Sequence, residues 1–218
     1  MCGRYTLRNS QAKKDEHLLN IDVSNNISPS HQVLTHTTEP TFMKWSYNPI
    51  LAKTPMSLIN ARSETLNVKP SIKMVKRCLI IVDGWFEWLR TDNSKQPYFF
   101  HMSDSLFSFA GIYTEYNGEK GCAIITKEAT KQLSEVHNRM PVIIADDDSD
   151  SWLSGKDVFN SKVSENIDYY PVSTVANSPR NDNTDCVRAS PLDRKNPCEK
   201  TVRLTPILSI KTRDQSHS

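Results

Sequence analysis

The pattern of apolar and polar positions is mostly that of short strands. Cys78-Leu79-Ile80-Ile81-Val82 is an unbroken apolar run of five residues, which reads as a strand buried on both faces. After Asp83 and Gly84, the stretch Trp85-Phe86-Glu87-Trp88 continues in extended alternation. A period of two puts Trp85 and Glu87 on one face and Phe86 and Trp88 on the other. Gly84 between the two runs predicts a bulge or a close backbone approach. Further strands are expected at 2–7, 32–35, 41–47, 96–100, 106–113, 122–126, 142–144 and 169–173, with an apolar pair, Leu58-Ile59, opening the mostly polar stretch Asn60 to Thr65. Asn117-Gly118 between two apolar runs is a hairpin turn signal. Helical spacing is rarer. Ser10 caps an expected helix over 11–20, and Thr126 caps one over 127–136 with Ala129, Leu133 and Val136 facing inward. Asp146-Asp147-Asp148 opens a short helix around Trp152-Leu153, and another follows near 158–163. From about Asn177 the chain turns polar, so residues 186–218 are expected as a loosely packed tail behind a domain over 1–185.

Composition narrows the function classes. With 218 residues the chain suffices for one well-packed domain, with two allowed. Lys and Arg total 27 against 25 Asp and Glu, so any basic surface must be local rather than global. The five cysteines show no C-x-x-C spacing, which points away from a zinc site or disulfide framework and toward a reducing compartment. No apolar run reaches the roughly 18–20 residues of a membrane span, and the start lacks a basic-then-apolar signal. A soluble cytoplasmic protein is expected, nucleoid-associated if the source is bacterial, with no metal and no cofactor.

Four places carry candidate chemistry. Cys2 is preceded only by Met1; with Met1 removed, Cys2 holds a thiol and a free α-amine two carbons apart. The amine can add to an aldehyde as an imine, and the thiolate can then close a thiazolidine. An α-amine titrates near 7.7–8.0 and a thiol near 8.5, so both have reactive fractions around neutrality. Against this, chain termini usually fray. Glu87 stands among three large aromatics, where burial would raise its pKa toward the range of a general acid; the competing reading is that it reaches solvent or an arginine. Asn60 sits in a polar cluster at a strand end, which is equally a strand-to-helix turn. His137 follows the expected helix over 127–136, whose C-terminus would favour the charged imidazolium.

Taken together these segments bring a family into view. Cys2-Gly3-Arg4-Tyr5, Asn60-Ala61-Arg62-Ser63-Glu64-Thr65, Asp83-Gly84-Trp85-Phe86-Glu87-Trp88 and His137-Asn138-Arg139-Met140-Pro141 occur in the order and spacing of the SRAP family, the SOS-response-associated proteins that bind abasic sites in single-stranded DNA. The resemblance runs from residue 1 to about Val175 and implies an α+β fold: a curved, barrel-like antiparallel sheet with flanking helices. It implies a monomer that binds single-stranded DNA containing abasic sites and crosslinks to them through a thiazolidine on Cys2, with lyase-type and autoproteolytic activity and a role in protecting the lesion. On that resemblance Cys2 is the nucleophile, Asn60 a hydrogen-bonding partner near the sugar and the N-terminus, Glu87 the general acid/base, and His137 an assistant in ring opening, Schiff-base steps and crosslink reversal. Arg4, Arg62 and Arg139 would contact phosphates; Trp88, Trp45 and Pro29 would stack on bases or pack beneath them; Asn26 and Thr126 complete the DNA-binding set. The aromatic wedge that the family often carries after the segment matching Trp45 to Pro49 is replaced here by Ile50-Leu51-Ala52-Lys53.

Two rivals share the same residues. An N-terminal cysteine can act as a peptidase nucleophile, with its own α-amine, His137 or Glu87 as base. A non-covalent reader of modified or single-stranded DNA would need the groove but not the thiol.

Overall fold

The computed structural model describes residues 2–8, 23–50, 52–54, 56–66, 68, 75–92, 94–103, 105–159, 163 and 166–190. In chain order the strands are β1 (Arg4–Leu7), β2 (Ser24–Ile27), β3 (Gln32–His36), β4 (Pro40–Lys44), β5 (Asn60–Arg62), β6 (Lys76–Val82), β7 (Gly84–Thr91), β8 (Ser94–His101), β9 (Phe107–Tyr116), β10 (Glu119–Glu128), β11 (Arg139–Pro141), β12 (Ile143–Ile144) and β13 (Asp168–Pro171). One α-helix, α1 (Ser149–Leu153), lies among the described residues. None of the described helices is long and apolar enough to cross a membrane.

The strands form two sheets. One runs β13-β8-β7-β1-β2; the other runs β11-β10-β4-β3-β6-β9-β12, and an additional β9–β10 pairing closes part of it into a ring. This is the expected curved, barrel-like α+β fold, with two departures. Strands β4 and β5 both pair with β10 in parallel rather than antiparallel. Among the described residues, the flanking helices are also fewer than expected. The helix expected over 127–136 is absent: β10 continues through Glu128, and only a 3-10 turn at Leu133–Glu135 follows. Thr126 is therefore a mid-strand residue, paired with Arg62 on one side and Pro141 on the other. Pairing with β11 carries Lys127 and Glu128 into the sheet, which outweighs the local helical preference at the start of that stretch. The helix expected over 11–20 lies outside the described residues, as do residues 160–162 of the one expected near 158–163.

Alternation along the strands builds three cores. Tyr5, Trp85 and Phe100 from the first sheet meet Val33, Ile80, Phe109 and Ile124 from the second. Ala123 and Ile125 take the opposite face of β10, where Trp152 of α1 covers them. A five-residue helix does not stand alone; this one is anchored by the Trp152 indole N–H donating to Cys78 O at 2.9 Å and by the Arg77 guanidinium 4.1 Å from its ring centroid. Phe86 and Phe99 face outward from the first sheet and are covered by Val172, Ala176 and Cys186. Residues 186–190, placed with the polar tail by composition, pack against the domain. Cys186 is buried, Ser190 N–H donates to Pro171 O at 2.9 Å, and Val172 bridges to Ala189.

Gly84 marks a close approach. A methyl group there would stand 2.2 Å from the Phe99 ring and 2.8 Å from Phe100 O. Gly84→Ala should lower stability by about 1–3 kcal/mol, the usual cost of overpacking, measurable as a lowered denaturation midpoint with an unchanged m-value.

The fold settles the question of fraying at the N-terminus. β1 is an inner strand, paired on one edge with β2 and on the other with β7, with Arg4 opposite Phe86 and Thr6 opposite Gly84. Asp83, almost fully buried, accepts from the Thr6 hydroxyl, from Arg8 N–H at 2.8 Å and from Arg8 Nε at 3.4 Å. Cys2 is therefore delivered to the interior by a strand pinned at both edges.

Candidate active site and nucleic-acid groove

Cys2 stands two residues before β1 and is 0% exposed. Its carbonyl accepts a hydrogen bond from Asn60 Nδ2 at 2.8 Å, and its thiol points to Arg4 O at 3.7 Å. Burial and then the Glu87 charge push the thiol pKa well above its ordinary value, with the positive amino terminus of the chain working the other way. Asn60 opens β5 and pairs with Ile124 of β10, which fixes its side chain toward Cys2. Its Oδ1 is buried and has no hydrogen-bond partner among the described residues. An orphaned buried acceptor costs about 1–3 kcal/mol, so it marks a place where a donor is expected.

Glu87, 3% exposed, shares the inner face of β7 with Trp85, as the alternation predicts. Desolvation raises its carboxyl pKa to about 7, against the opposing pull of the amino terminus. At neutral pH it is divided between acid and carboxylate, the condition for moving a proton in either direction. The reading in which Glu87 simply reaches solvent is thereby excluded.

His137 lies between the 3-10 turn and β11. Its Nδ1 sits 3.0 Å from Arg139 N and 3.1 Å from Arg139 O. A neutral ring can accept from the N–H, and a protonated ring can donate to the carbonyl, so the same backbone anchors both forms. The expected helix C-terminus is not there to favour the cation. Burial, then the amino terminus and the nearby Arg90 and Arg139, lower the imidazole pKa below its ordinary value despite the opposing bond to Arg139 O. These factors favour the neutral ring.

Asn60, Glu87 and His137 line two adjoining hollows; Cys2, fully buried, lines neither. One, of about 650 Å³, is walled by Glu87, Trp88, Arg90, Lys95 and His137 among others. The second, of about 680 Å³, is walled by Asn60, Arg62, His137 and Arg139 among others. Arg90, His137 and Asn138 belong to both, so the hollows form one groove bordered by Asn60, Glu87 and His137. Arg90 and Lys95 stand directly opposite each other across the β7–β8 hairpin. Like charges so placed repel, which favours a site for an anion between or beside them. Lys95 Nζ lies 4.8 Å from the Trp88 ring centroid, and the Trp88 indole N–H donates to Asn177 at 2.6 Å, holding that partly exposed ring beside the groove.

The other expected DNA contacts divide sharply. Arg62 is exposed at the groove and Pro29 is half-exposed. Trp45 is fully buried, with its indole N–H donating to Ile59 O at 2.9 Å, so it supports the floor from within the core. Thr126 is likewise buried. Asn26, also buried, accepts from Arg4 Nη1 at 2.8 Å and donates to Ser178 O and Asn181 O. Arg4 further donates to Ala176 O at 3.3 Å and to Asn177 O at 3.4 Å. Arg4 and Asn26 thus clip the N-terminal strand to the 176–181 segment. Arg139 is engaged by Glu64 and by Thr126 O. Arg90, Lys95 and Asn138 were not anticipated from sequence. The signal available for the first two was a pair of cations flanking a turn, one of them two residues beyond Trp88.

Known proteins place this arrangement. Residues 1–179 match the model of the family described as SOS response associated peptidase (SRAP). The abasic site processing protein YoqW of Bacillus subtilis is 33% identical over 87% of this chain and 100% of its own length. The abasic site processing protein HMCES of Gallus gallus is 32% identical over 59% of this chain and 49% of its own length. A crystal structure from Bacteroides thetaiotaomicron superposes with a TM-score of 0.71 at 22% identity, covering 87% of this chain and 100% of that one. A phage-related protein from Bordetella bronchiseptica gives a TM-score of 0.62 at 26% identity, over 78% and 94% of the two chains. On the match over residues 1–179 and the relative spanned over its whole length, this chain belongs to the SRAP family.

Proposed function

We propose that this protein processes abasic sites in single-stranded DNA by capturing them covalently on Cys2 once Met1 has been removed. The observation that carries the reading is the pairing of Cys2 with Glu87. An otherwise inert buried thiol is held through Asn60 beside a carboxyl poised near pH 7, and both Asn60 and that carboxyl border a groove lined by cations.

The chemistry follows from those environments. The opened abasic sugar presents an aldehyde. The Cys2 α-amine adds to its carbon, Glu87 protonates the departing hydroxyl, and one water leaves as the iminium forms. The positive iminium beside the thiol offsets the burial that otherwise keeps it protonated. Glu87, now a carboxylate, takes the thiol proton; the new C–S bond forms as the C=N electrons return to nitrogen. The product is a thiazolidine, formed with net loss of one water. The unpartnered Oδ1 of Asn60 is the acceptor for an N–H of the freed amine. Neutral His137 serves as base for sugar ring opening. Arg62, Arg90 and Lys95 contact phosphates, and the partly exposed Trp88 ring offers a stacking surface to an unpaired base.

Burial also argues against a peptidase acting on other proteins. The thiolate is the nucleophile in such enzymes, and they use exposed, low-pKa cysteines, the reverse of Cys2. A non-covalent reader would have no use for a buried amine and thiol. One extra residue retained before Cys2 should abolish a denaturation-resistant adduct with abasic single-stranded DNA while leaving salt-dependent binding in place. An adduct that persists with the amine blocked rules out the thiazolidine.

A further inference from the structure

The chain after β13 returns to the groove at one residue. Asn177 closes the 3-10 turn Thr174–Asn177. Its backbone carbonyl accepts from Arg4 Nη2 at 3.4 Å, and its side-chain Oδ1 accepts from the Trp88 indole N–H at 2.6 Å. Asn177 therefore touches both the strand that delivers Cys2 and the ring that follows Glu87 directly in the chain. The turn that carries it is braced from several directions. Ser173 Oγ accepts from Val175 N–H at 3.3 Å at its start, and Ala176 is buried with Phe86 and Phe99. Ala176 O accepts from Arg4 Nη1 at 3.3 Å. Just beyond the turn, Asn26 Nδ2 donates to Ser178 O at 2.9 Å and to Asn181 O at 2.7 Å, and Asn25 N–H donates to Asp182 at 2.6 Å. These contacts set the place of Asn177 without help from Trp88.

We propose that Asn177 is a positioning residue: its side-chain carbonyl grips the Trp88 indole by the N–H edge and fixes the ring beside the groove, so that an unpaired base stacks on a ring already in place. The proposal rests on the reading of the groove as a surface for single-stranded DNA. Three features favour it. Trp45, Trp85 and Trp152 are at most 1% exposed and are set by core packing, whereas Trp88 is only partly buried. A ring at the surface needs a polar anchor to keep one orientation, and Asn177 supplies it. The indole N–H is the ring's one donor and lies in the ring plane. A bond there fixes the plane while covering neither face, which leaves the stacking surface available. Holding the ring before the strand arrives also removes part of the ordering cost of binding.

Asn177 is itself exposed, so its side chain can be changed without disturbing the core. The bond from Arg4 reaches its backbone carbonyl and survives any side-chain substitution. Loss of the side-chain oxygen therefore isolates the contact with Trp88.

The test uses the full chain with Met1 removed and four variants: Asn177→Leu, Asn177→Asp, Trp88→Phe, and Asn177→Leu combined with Trp88→Phe. Leucine keeps the size and removes the acceptor, aspartate keeps an acceptor, and phenylalanine keeps a ring and removes the donor. Thermal melting establishes that each is folded. The Trp88 indole N–H signal is read by NMR and identified by its absence in Trp88→Phe. Affinity is measured on an undamaged single strand, so no covalent step enters. Asn177→Leu is expected to move the Trp88 indole signal upfield and to weaken binding about fivefold, a part of what stacking one base contributes. Asn177→Asp is expected to keep the signal and to bind within about threefold of the unsubstituted chain. In the Trp88→Phe background, adding Asn177→Leu should change affinity by less than about twofold, because the two residues act as one unit. A folded Asn177→Leu chain with an unchanged indole signal or unchanged affinity overturns the proposal. An equal loss of affinity in both backgrounds overturns it too, since Asn177 would then act apart from the ring. If the unsubstituted chain binds no single strand, the reading of the groove fails and the proposal with it. The indole signal still shows in that case whether Asn177 holds the ring, which separates the two failures.

Discussion

Replacing Cys2 with alanine is expected to reduce denaturation-resistant adduct with abasic single-stranded DNA to background, while non-covalent affinity and thermal stability change little. The size of the loss follows from the chemistry. Alanine keeps the α-amine, so an imine can still form, but it cannot be trapped by ring closure and hydrolyses when the protein is denatured. Borohydride added before denaturation should therefore recover an adduct from Cys2→Ala, by reducing the imine to an amine, and should recover none from a chain with its amine blocked. The contrast separates the two halves of the nucleophile. Binding should survive because Cys2 is buried and the cations of the groove are elsewhere. A Cys2→Ala chain that still forms a heat-stable adduct without reductant would remove Cys2 from the mechanism.

The second large effect belongs to Glu87. Glu87→Gln keeps the shape and removes the titration, so crosslinking should slow by about 10²–10⁴-fold, the usual contribution of a positioned general acid or base. The pH dependence of the rate centred near 7 should vanish with it. Stability should move the opposite way. A carboxyl whose pKa is raised from 4.5 to about 7 on folding binds its proton more tightly in the folded chain. Stability is then lost as pH rises between those two values, by an amount on the order of 3 kcal/mol above pH 7. Glu87→Gln should therefore be more stable than the native chain at pH 8 and nearly equal to it at pH 4. A glutamine variant that keeps full rate, or one whose stability difference has no pH dependence, contradicts the account. The gain in stability with loss of activity is the pattern expected where an active site holds a group in an unfavourable state.

Much of this was legible in the chain itself. The alternation after Gly84 placed Glu87 with Trp85 on an inner face, and three bulky aromatics around a carboxyl implied its raised pKa, both as found. The turn at Asn117-Gly118 needs two residues with positive φ, and both have it, at 53° and 80°. Local pattern failed where long-range pairing decided the outcome. The stretch after Thr126 has helical spacing, yet its first two residues, Lys127 and Glu128, pair with β11 as strand, and beyond them only a 3-10 turn forms. The charge of His137 was misjudged for the same reason, since the helix invoked to favour imidazolium does not form. Among the basic residues, type alone could not separate structure from recognition. Arg4 is held by backbone carbonyls and Asn26, and Arg139, at the groove's edge, by Glu64, whereas Arg62 and Arg90 line the groove without an ion pair to the described residues. That distinction depends on partners that lie tens of residues away in the chain, such as Ala176 for Arg4 and Glu64 for Arg139.

The central claim is that residue 2 becomes residue 1 and closes a ring on an abasic aldehyde. An intact-mass spectrum of the denatured reaction mixture tests it most directly. The account predicts free protein lacking Met1, and a single new species whose mass is the sum of that protein and the abasic oligonucleotide less one water. Free protein that retains Met1 yet forms the adduct, or a processed protein that shows no added mass, would contradict it.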